Sequence, residues 1–219
     1  DAVDDAIVDG TQTVTITASA AGHSDGTDTV DVIDNDTAAL TVTIVAASVS
    51  ESAGTAATTA TVTRNTDTTN ALTVTLISDD PTEATVPTTV TIHAGQNQSA
   101  PFDLDAVDDA IVDGTQTVTI TAVAADHTDG IDTVDVTDDD VAGLTVTIVA
   151  TSISENGGTT TATVSRNTDT ANALVVNLAS SDTGEATVPA SVTIAAGQTT
   201  SPAFTISGID DLIVDGTRR

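Results

Sequence analysis

The sequence predicts an all-β chain made of tandem seven-stranded antiparallel β-sandwiches joined end to end. Apolar residues alternate with threonine in short runs, which is the period of a strand with one buried face. No apolar stripe recurs at the 3.6-residue period of a helix. Long stretches also recur, since DAVDDAIVDGTQTVTIT begins at Asp1 and again, letter for letter, at Asp105. A period of about 100 residues indicates one domain repeated along the chain.

The strands of the complete repeat are predicted where the alternation appears. Clusters of Gly, Asp, Asn and Pro separate the runs, as in a β-sandwich. Asp25–Gly26 and Asp129–Gly130 lie between two runs and predict hairpin turns. In chain order the predicted strands are Leu40–Ile44, Ala60–Thr63, Leu72–Leu76, Val90–Ile92, Phe102–Leu104, Val118–Ile120 and Val134–Val136.

The repeats divide the chain into three predicted segments. Residues 1–37 form the C-terminal part of one repeat, 38–140 form a complete repeat, and 141–219 form the N-terminal part of another. We therefore expect the chain to be a segment of a longer array. Only Val141, Ala142 and Gly143 separate the end of the complete repeat from the next predicted strand. So short a link predicts a stiff joint between domains.

The charge of the chain excludes several kinds of partner. There are 33 acidic and 4 basic residues, giving a formal net charge of −29. Such a chain cannot replace the counterions of a nucleic acid, and it is repelled by anionic membrane surfaces. No apolar stretch is long enough for direct membrane insertion. Cysteine is absent, which removes disulfides and thiol catalysis, and we expect a secreted or cell-surface location.

The core must be thin, because Phe102 and Phe204 are the only aromatic residues. We therefore expect bound metal to add stability. The acidic residues of the complete repeat fall in four places. Glu51 follows the first strand in VSESAG, Asp80 lies in SDDPTEA, VDDAIVDG holds three more acids, and Asp138–Asp140 close the repeat.

These elements resemble the Calx-β domain, the immunoglobulin-like sandwich of sodium–calcium exchangers and many bacterial surface proteins. The resemblance rests on S-E-x-x-G after the first strand, on D-D-x-x-x-acid, and on the terminal acidic triplet followed at once by the next repeat. It implies that loops at one end of each sandwich bind Ca²⁺. The implied ligands are Glu51, Asp80, Asp108, Asp109, the carbonyl of Ile111, Asp113, Asp138, Asp139 and Asp140; Asp4, Asp5, Asp9, Asp34 and Asp36 of the preceding repeat; and Glu155, Asp182, Asp210, Asp211 and Asp215 of the following one.

The chemistry of the residues agrees with calcium. Ca²⁺ takes six to eight oxygen ligands, and the acids at one tip exceed what one ion needs, so two or more ions per site are expected. Gln12, Gln116 and Asn35 stand where the family carries acids, and each lowers the local charge. The alternative is that these aspartates are solvated turn residues, which is the usual role of a single aspartate.

The sequence leaves three functions open. The first is a calcium-binding structural repeat that forms a rigid extracellular stalk, adhesin spacer or filament, with neighbouring repeats as its partners. The second is a polymer subunit, in which identical chains complete each other head to tail by strand addition. The third is an adhesin module whose ligand the sequence does not reveal. An enzyme is not expected, because the acids recur in every repeat and no Trp or Tyr offers a sugar-stacking platform.

Overall fold

The computed structural model describes residues 1–210, and these residues form β-structure with one short 3₁₀ turn, Glu51–Ala53. The described residues include no helix long and apolar enough to cross a bilayer. The strands are β1 Gln12–Ala18, β2 Gly26–Val32, β3 Leu40–Ile44, β4 Ser48–Ser50, β5 Thr58–Arg64, β6 Leu72–Ser78, β7 Ala84–Thr85, β8 Thr89–Ile92, β9 Phe102–Ala106, β10 Gln116–Val123, β11 Gly130–Thr137, β12 Leu144–Ile148, β13 Thr159–Arg166, β14 Leu174–Asn177, β15 Ala186–Thr187, β16 Ser191–Ile194 and β17 Phe204–Gly208.

The chain divides into two compact units. Unit 1 consists of residues 1–109 and 114–139, all of which the structure describes. Unit 2 consists, among the described residues, of residues 110–113 and 140–210. The repeat boundaries after residues 37 and 140 stay predictions from the sequence.

Unit 1 contains a sandwich of two sheets, which confirms the predicted fold class. One sheet has the order β4-β11-β10-β6-β8 and the other the order β3-β5-β9-β7. All pairings are antiparallel except β4 with β11, which is parallel. The sandwich has nine strands rather than the predicted seven. The two unpredicted strands, β4 and β7, have three and two residues, too few to show an alternation in the sequence.

The alternation fills the space between the two sheets. In β3, Leu40, Val42 and Ile44 are buried, whereas the threonines between them are exposed. Every other residue of β5 is likewise buried. The core of unit 1 consists of Val, Ile, Leu and Ala with Phe102 as its one aromatic residue. Each aliphatic side chain that is fully buried contributes about 1.5–3 kcal/mol.

A separate hairpin, β1–β2, precedes the sandwich in unit 1. Its strands pair in the register Gln12↔Val32 to Ala18↔Gly26. The hairpin β10–β11 pairs in the matching register, from Gln116↔Val136 to Ala122↔Gly130. The two hairpins differ in burial, because the apolar side chains of β10 and β11 lie in the core while those of β1 and β2 are exposed.

Unit 2 is a smaller assembly of the same kinds of strand. Its described residues form a sheet of order β12-β13-β17-β15 and a two-stranded sheet of β14 and β16. A small core of Ala162, Val164, Val176, Ile194 and Phe204 holds them together. The apolar side chains of β12 are exposed, unlike those of β3.

Candidate metal centre

Glu51 is the most buried acid of unit 1, with 2 % of its surface exposed. It begins the 3₁₀ turn that follows β4, and Gly54 ends this turn with a φ of 67° that glycine adopts freely. The amide of Asp139 donates a hydrogen bond of 3.2 Å to Glu51 Oε1. A buried carboxylate requires compensation by hydrogen bonds or positive charge. Glu51 is therefore a candidate ligand, because a bound cation would stabilise its buried charge.

Two more carboxylates converge on Glu51. Oxygen atoms of Glu51, Asp108 and Asp139 all lie within 4.8 Å of one another. Oxygens that share one Ca²⁺ at 2.3–2.6 Å lie at most about 4.6–5.2 Å apart. The three residues therefore fit a single calcium ion. An oxygen of Asp138 also lies within 4.8 Å of one of Glu51.

Hydrogen bonds hold the acidic segments in place around this cluster. The amide of Gly114 donates to Asp138 Oδ2 at 2.8 Å, which ties the end of the VDDAIVDG loop to the acidic triplet. The amide of Val107, next to Asp108, donates to the carbonyl of Glu83 at 2.8 Å. The loop is thus fastened on both sides of its acids.

Asp80, also a predicted ligand, lies in a turn after β6. Its side chain accepts hydrogen bonds from the amide and the hydroxyl of Thr82. It does not belong to the three-carboxylate cluster of unit 1. Its neighbour Asp79 accepts a bond of 2.7 Å from the Thr119 amide, and this bond is the main reason that the pKa of Asp79 is lowered. Asp79 thus anchors the turn to β10.

The remaining predicted ligands of the complete repeat differ in burial. Asp109, Ile111 and Asp113 are exposed, and Asp140 is half-buried. Ile111, Asp113 and Asp140 belong to unit 2. Glu83 is a buried acid that was not among the predicted ligands. Its residue type gives no signal, because only two of the four glutamates, Glu51 and Glu83, are buried.

The acids of the preceding repeat gather around Asp34. Its side chain accepts hydrogen bonds from the amides of Asp36 at 2.8 Å, Gly10 at 2.7 Å and Asp9 at 2.8 Å. The bond from Asp36 leads the causes that lower the pKa of Asp34, because each amide favours the ionised carboxylate. Asp34 therefore holds the loop of Asp9 against the end of β2.

Asp36 lies in the same cluster, but its pKa is raised whereas that of Asp34 is lowered. Desolvation is the main cause that raises the pKa of Asp36, followed by the negative charges of nearby acids. An open cavity of about 320 Å³ lies between these side chains. The acids that repel Asp36 are Asp34, Asp4, Asp5 and Asp9, so the structure brings together all five predicted ligands of this repeat.

We expect Asp36→Asn to stabilise the metal-free chain at neutral pH and to reduce the gain from calcium. A raised pKa in the folded state means that folding favours protonated Asp36, so stability falls as pH rises through that value. Removing the charge abolishes this loss of stability, but it also removes a predicted ligand. Thermal melting in EDTA and in calcium measures both effects, with Asp25→Asn as an exposed control. A variant that melts lower than wild type in EDTA would contradict the expectation.

In the following repeat the structure describes only part of the predicted set. Glu155, Asp182 and Asp210 are exposed and form no three-carboxylate cluster with one another. Asp182 Oδ1 accepts a bond of 3.1 Å from the Gly184 amide. Asp211 and Asp215 lie outside the described residues.

The side chain of Asn65, which was not among the predicted site residues, clamps the acidic loop of the preceding repeat. Its Oδ1 accepts from the Ala39 amide at 2.8 Å. Its Nδ2 donates to the carbonyls of Ala6 at 3.1 Å and Thr37 at 3.0 Å. The Asn65 carbonyl also accepts from the Val8 amide at 2.8 Å. The Asn65 side chain, next to the end of β5, thus holds both the acidic loop, through Ala6, and the link between β2 and β3, through Thr37 and Ala39.

Unit 2 contains the same arrangement around Asn167. Its Oδ1 accepts from the Gly143 amide at 2.7 Å, and its Nδ2 donates to the carbonyls of Ala110 at 3.0 Å and Val141 at 3.1 Å. The signal in the sequence was the pentapeptide RNTDT, which occurs at Arg64 and again at Arg166. We refer to Asn65 and Asn167 as the asparagine clamps.

No protein-family model matches the chain, and no curated protein matches it. Among solved structures, the chain is similar to the calcium-binding domain CBD12 of CALX1.1, with 16 % identity, a TM-score of 0.36 and 74 % of each chain covered. It is similar to CBD12 of CALX1.2, with 14 % identity, a TM-score of 0.37, and 78 % of this chain and 74 % of that one covered. It is also similar to domains 4–9 of the surface layer protein SbsC, with 18 % identity, a TM-score of 0.32, and 92 % of this chain but 31 % of that one covered.

Proposed function

We propose that this chain is a calcium-binding structural segment of an extracellular protein, built of tandem Calx-β domains that form a stalk, spacer or filament of a bacterial surface. The observation that carries the proposal is buried Glu51 with the carboxylates of Asp108 and Asp139 within reach of one ion. The donors are all oxygens, which suits hard Ca²⁺ and not the thiolate or imidazole sites typical of zinc. The sequence motifs S-E-x-x-G and the acidic triplet support the same family.

Calcium would act as a structural ion. Close carboxylates repel one another, and a divalent cation converts this repulsion into attraction. With free calcium at about 100 times its dissociation constant, binding adds about 2.7 kcal/mol to the stability of the folded state. This is a large share of the about 5–15 kcal/mol that is typical of a domain.

The asparagine clamps explain how ion binding would stiffen an array. Ala6 and Val8 lie within the acidic loop 4–9, and both are bonded to Asn65. An ion that orders this loop therefore orders the segment that contacts β5. Calcium binding and attachment of the next sandwich are coupled through the same few residues. The role we propose is mechanical and not enzymatic.

We expect chelation to loosen the chain. In small-angle scattering, EDTA should lower the radius of gyration and broaden the distance distribution, because a flexibly jointed array is on average less extended than a stiff one. Calcium added back should reverse the change. Magnesium serves as the control, because it demands strict octahedral geometry and dehydrates reluctantly. Dimensions that are identical with calcium and with EDTA would count against a stiffening role.

A further inference from the structure

We propose that Asn156 is a self-modifying residue, whose side chain is attacked by the backbone nitrogen of Gly157 and is converted into aspartate and isoaspartate. The site lies in the turn 155–157, which precedes β13. The modification needs water and no enzyme or cofactor. It adds a carboxylate beside Glu155, and the inference does not rest on calcium binding.

The reaction is the formation and hydrolysis of a cyclic imide. The Gly157 amide gives its proton to water or hydroxide, and its nitrogen forms a bond to Cγ of Asn156. The bond between Cγ and the side-chain nitrogen breaks, and this nitrogen leaves as ammonia after taking up a proton. Water then opens the imide ring at either carbonyl, which gives aspartate or isoaspartate. The net change is the uptake of water and the release of ammonia.

Asn156 differs from the other asparagines of the chain in the residue that follows it. Asn156–Gly157 is the only Asn-Gly pair in the sequence. A side chain on the following residue hinders its nitrogen from reaching Cγ, and glycine has no side chain. Asn156 is exposed, and a Cβ built on Gly157 would meet nothing within 4 Å. The turn therefore leaves room for the imide ring to close.

The reacting amide is not held by a sheet or by a carboxylate. The Gly157 amide donates to the Glu155 carbonyl at 2.7 Å, and this bond closes within three residues of an exposed turn. By contrast, the amides of Gly10 and Gly114, which each follow an aspartate, donate to Asp34 and Asp138 at 2.7 Å and 2.8 Å. The Gly157 amide can thus move toward Asn156 without disturbing a strand or an acidic cluster.

The exposure of this turn does not depend on how much of the following repeat is present. Ser52 and Ala53 hold the places of Asn156 and Gly157 in unit 1. Both are exposed, although the sandwich around them has both of its sheets. Further strands in the following repeat are therefore not expected to cover Asn156.

The chain on the C-terminal side of Asn156 is closely packed, so isoaspartate should disturb it. The Gly158 amide donates to the Ser154 carbonyl at 2.9 Å, and the Gly208 amide donates to the Gly158 carbonyl at 2.9 Å. A Cβ on Gly158 would overlap the Ser154 carbonyl oxygen, which shows how little space is left. Isoaspartate inserts a methylene into the main chain between Ser154 and Gly158. We expect both hydrogen bonds to weaken.

The experiment is incubation of the purified 219-residue chain for weeks in mildly alkaline buffer, since the amide loses its proton faster as pH rises. Peptide mass spectrometry measures the conversion of Asn156, and an isoaspartyl methyltransferase measures isoaspartate. We expect Asn156 to convert at least about tenfold faster than Asn97, which is also exposed but precedes Gln98. Asn156→Ser, which copies Ser52, is the matched control and should remove the isoaspartate of this peptide.

A parallel sample unfolded in urea tests whether the folded turn permits the reaction. We expect folded and unfolded chains to convert Asn156 at rates within about tenfold of each other. Asn156 that stays intact in the folded chain but converts in urea would overturn the proposal. Conversion no faster than that of Asn97 would overturn it as well.

The structural consequence has its own measurement. The isoaspartyl fraction is separated by ion exchange, and its amide hydrogen exchange is compared by NMR with that of the unmodified chain. The Gly158 and Gly208 amides should exchange faster in the modified chain, while those of the core strand β10 should not change. Equal exchange at Gly158 and Gly208 would contradict the predicted loosening of the turn.

Discussion

We expect Glu51→Gln to remove most of the stability that bound calcium would give to unit 1. Glutamine keeps the oxygen that accepts from the Asp139 amide, so the local hydrogen bond survives. It removes the negative charge that is most deeply buried and that lies closest to the carboxylates of Asp108 and Asp139. A hundredfold weaker affinity would reduce a calcium gain of about 2.7 kcal/mol to less than about 0.5 kcal/mol when free calcium equals the weakened dissociation constant.

In EDTA the same substitution should raise the melting midpoint or leave it unchanged, because the metal-free cluster loses a repulsive charge. The measurement is thermal melting of wild type and variant, each with calcium and with EDTA. The loss in calcium should lower the midpoint on the order of 5–10 °C. Asp103→Asn, which changes an exposed acid of β9, is the matched control and should melt as wild type does in both conditions. If calcium raised the melting midpoint of Glu51→Gln as much as that of wild type, the result would contradict a calcium site at Glu51.

Asn65→Ala should destabilise unit 1 by about 1–3 kcal/mol, because the Ala39 amide and the carbonyls of Ala6 and Thr37 all lose a partner. Water can replace part of the lost hydrogen bonding and so reduces this destabilisation, since Asn65 is half-buried. The acidic loop 4–9 should also become more mobile, which lowers its readiness to bind calcium.

Urea unfolding measures the stability of this variant, and hydrogen exchange at the Val8 and Ala39 amides measures the loosening of the loop and link. Asn97→Ala makes the same change in an exposed loop and should have little effect on either. Protection of Val8 and Ala39 that is unchanged in Asn65→Ala would show that the clamp does not hold the loop.

The fold class could be predicted from the sequence because each longer strand shows its buried face in its own alternation of apolar and polar residues. Alternation over three to five residues indicated the longer strands, and the two Asp-Gly pairs indicated the hairpins, whose registers match in the structure. The strand β4 could not be predicted, because its three residues become a strand only by pairing with the distant β11. Exposure of β12 was likewise hidden, because it depends on what packs over the strand and not on its own sequence.

The candidate site was predicted in part for similar reasons. Repetition of acids at one phase indicated the clusters, and the structure groups Glu51, Asp108 and Asp139 in one and Asp34 with Asp36 in another. It does not add Asp80 to the first cluster, because a local turn with Thr82 engages that side chain. The asparagine clamps were missed because asparagine in a loop is common, and only its contacts reveal its role.

Calcium titration of the wild-type chain by calorimetry, paired with melting in EDTA, decides whether the acidic clusters bind calcium. We expect saturable heat of binding, with at least one ion per complete site, and a melting midpoint that falls when calcium is removed. A chain that takes up no calcium and melts at one temperature in both solutions would show that the acids only keep it soluble.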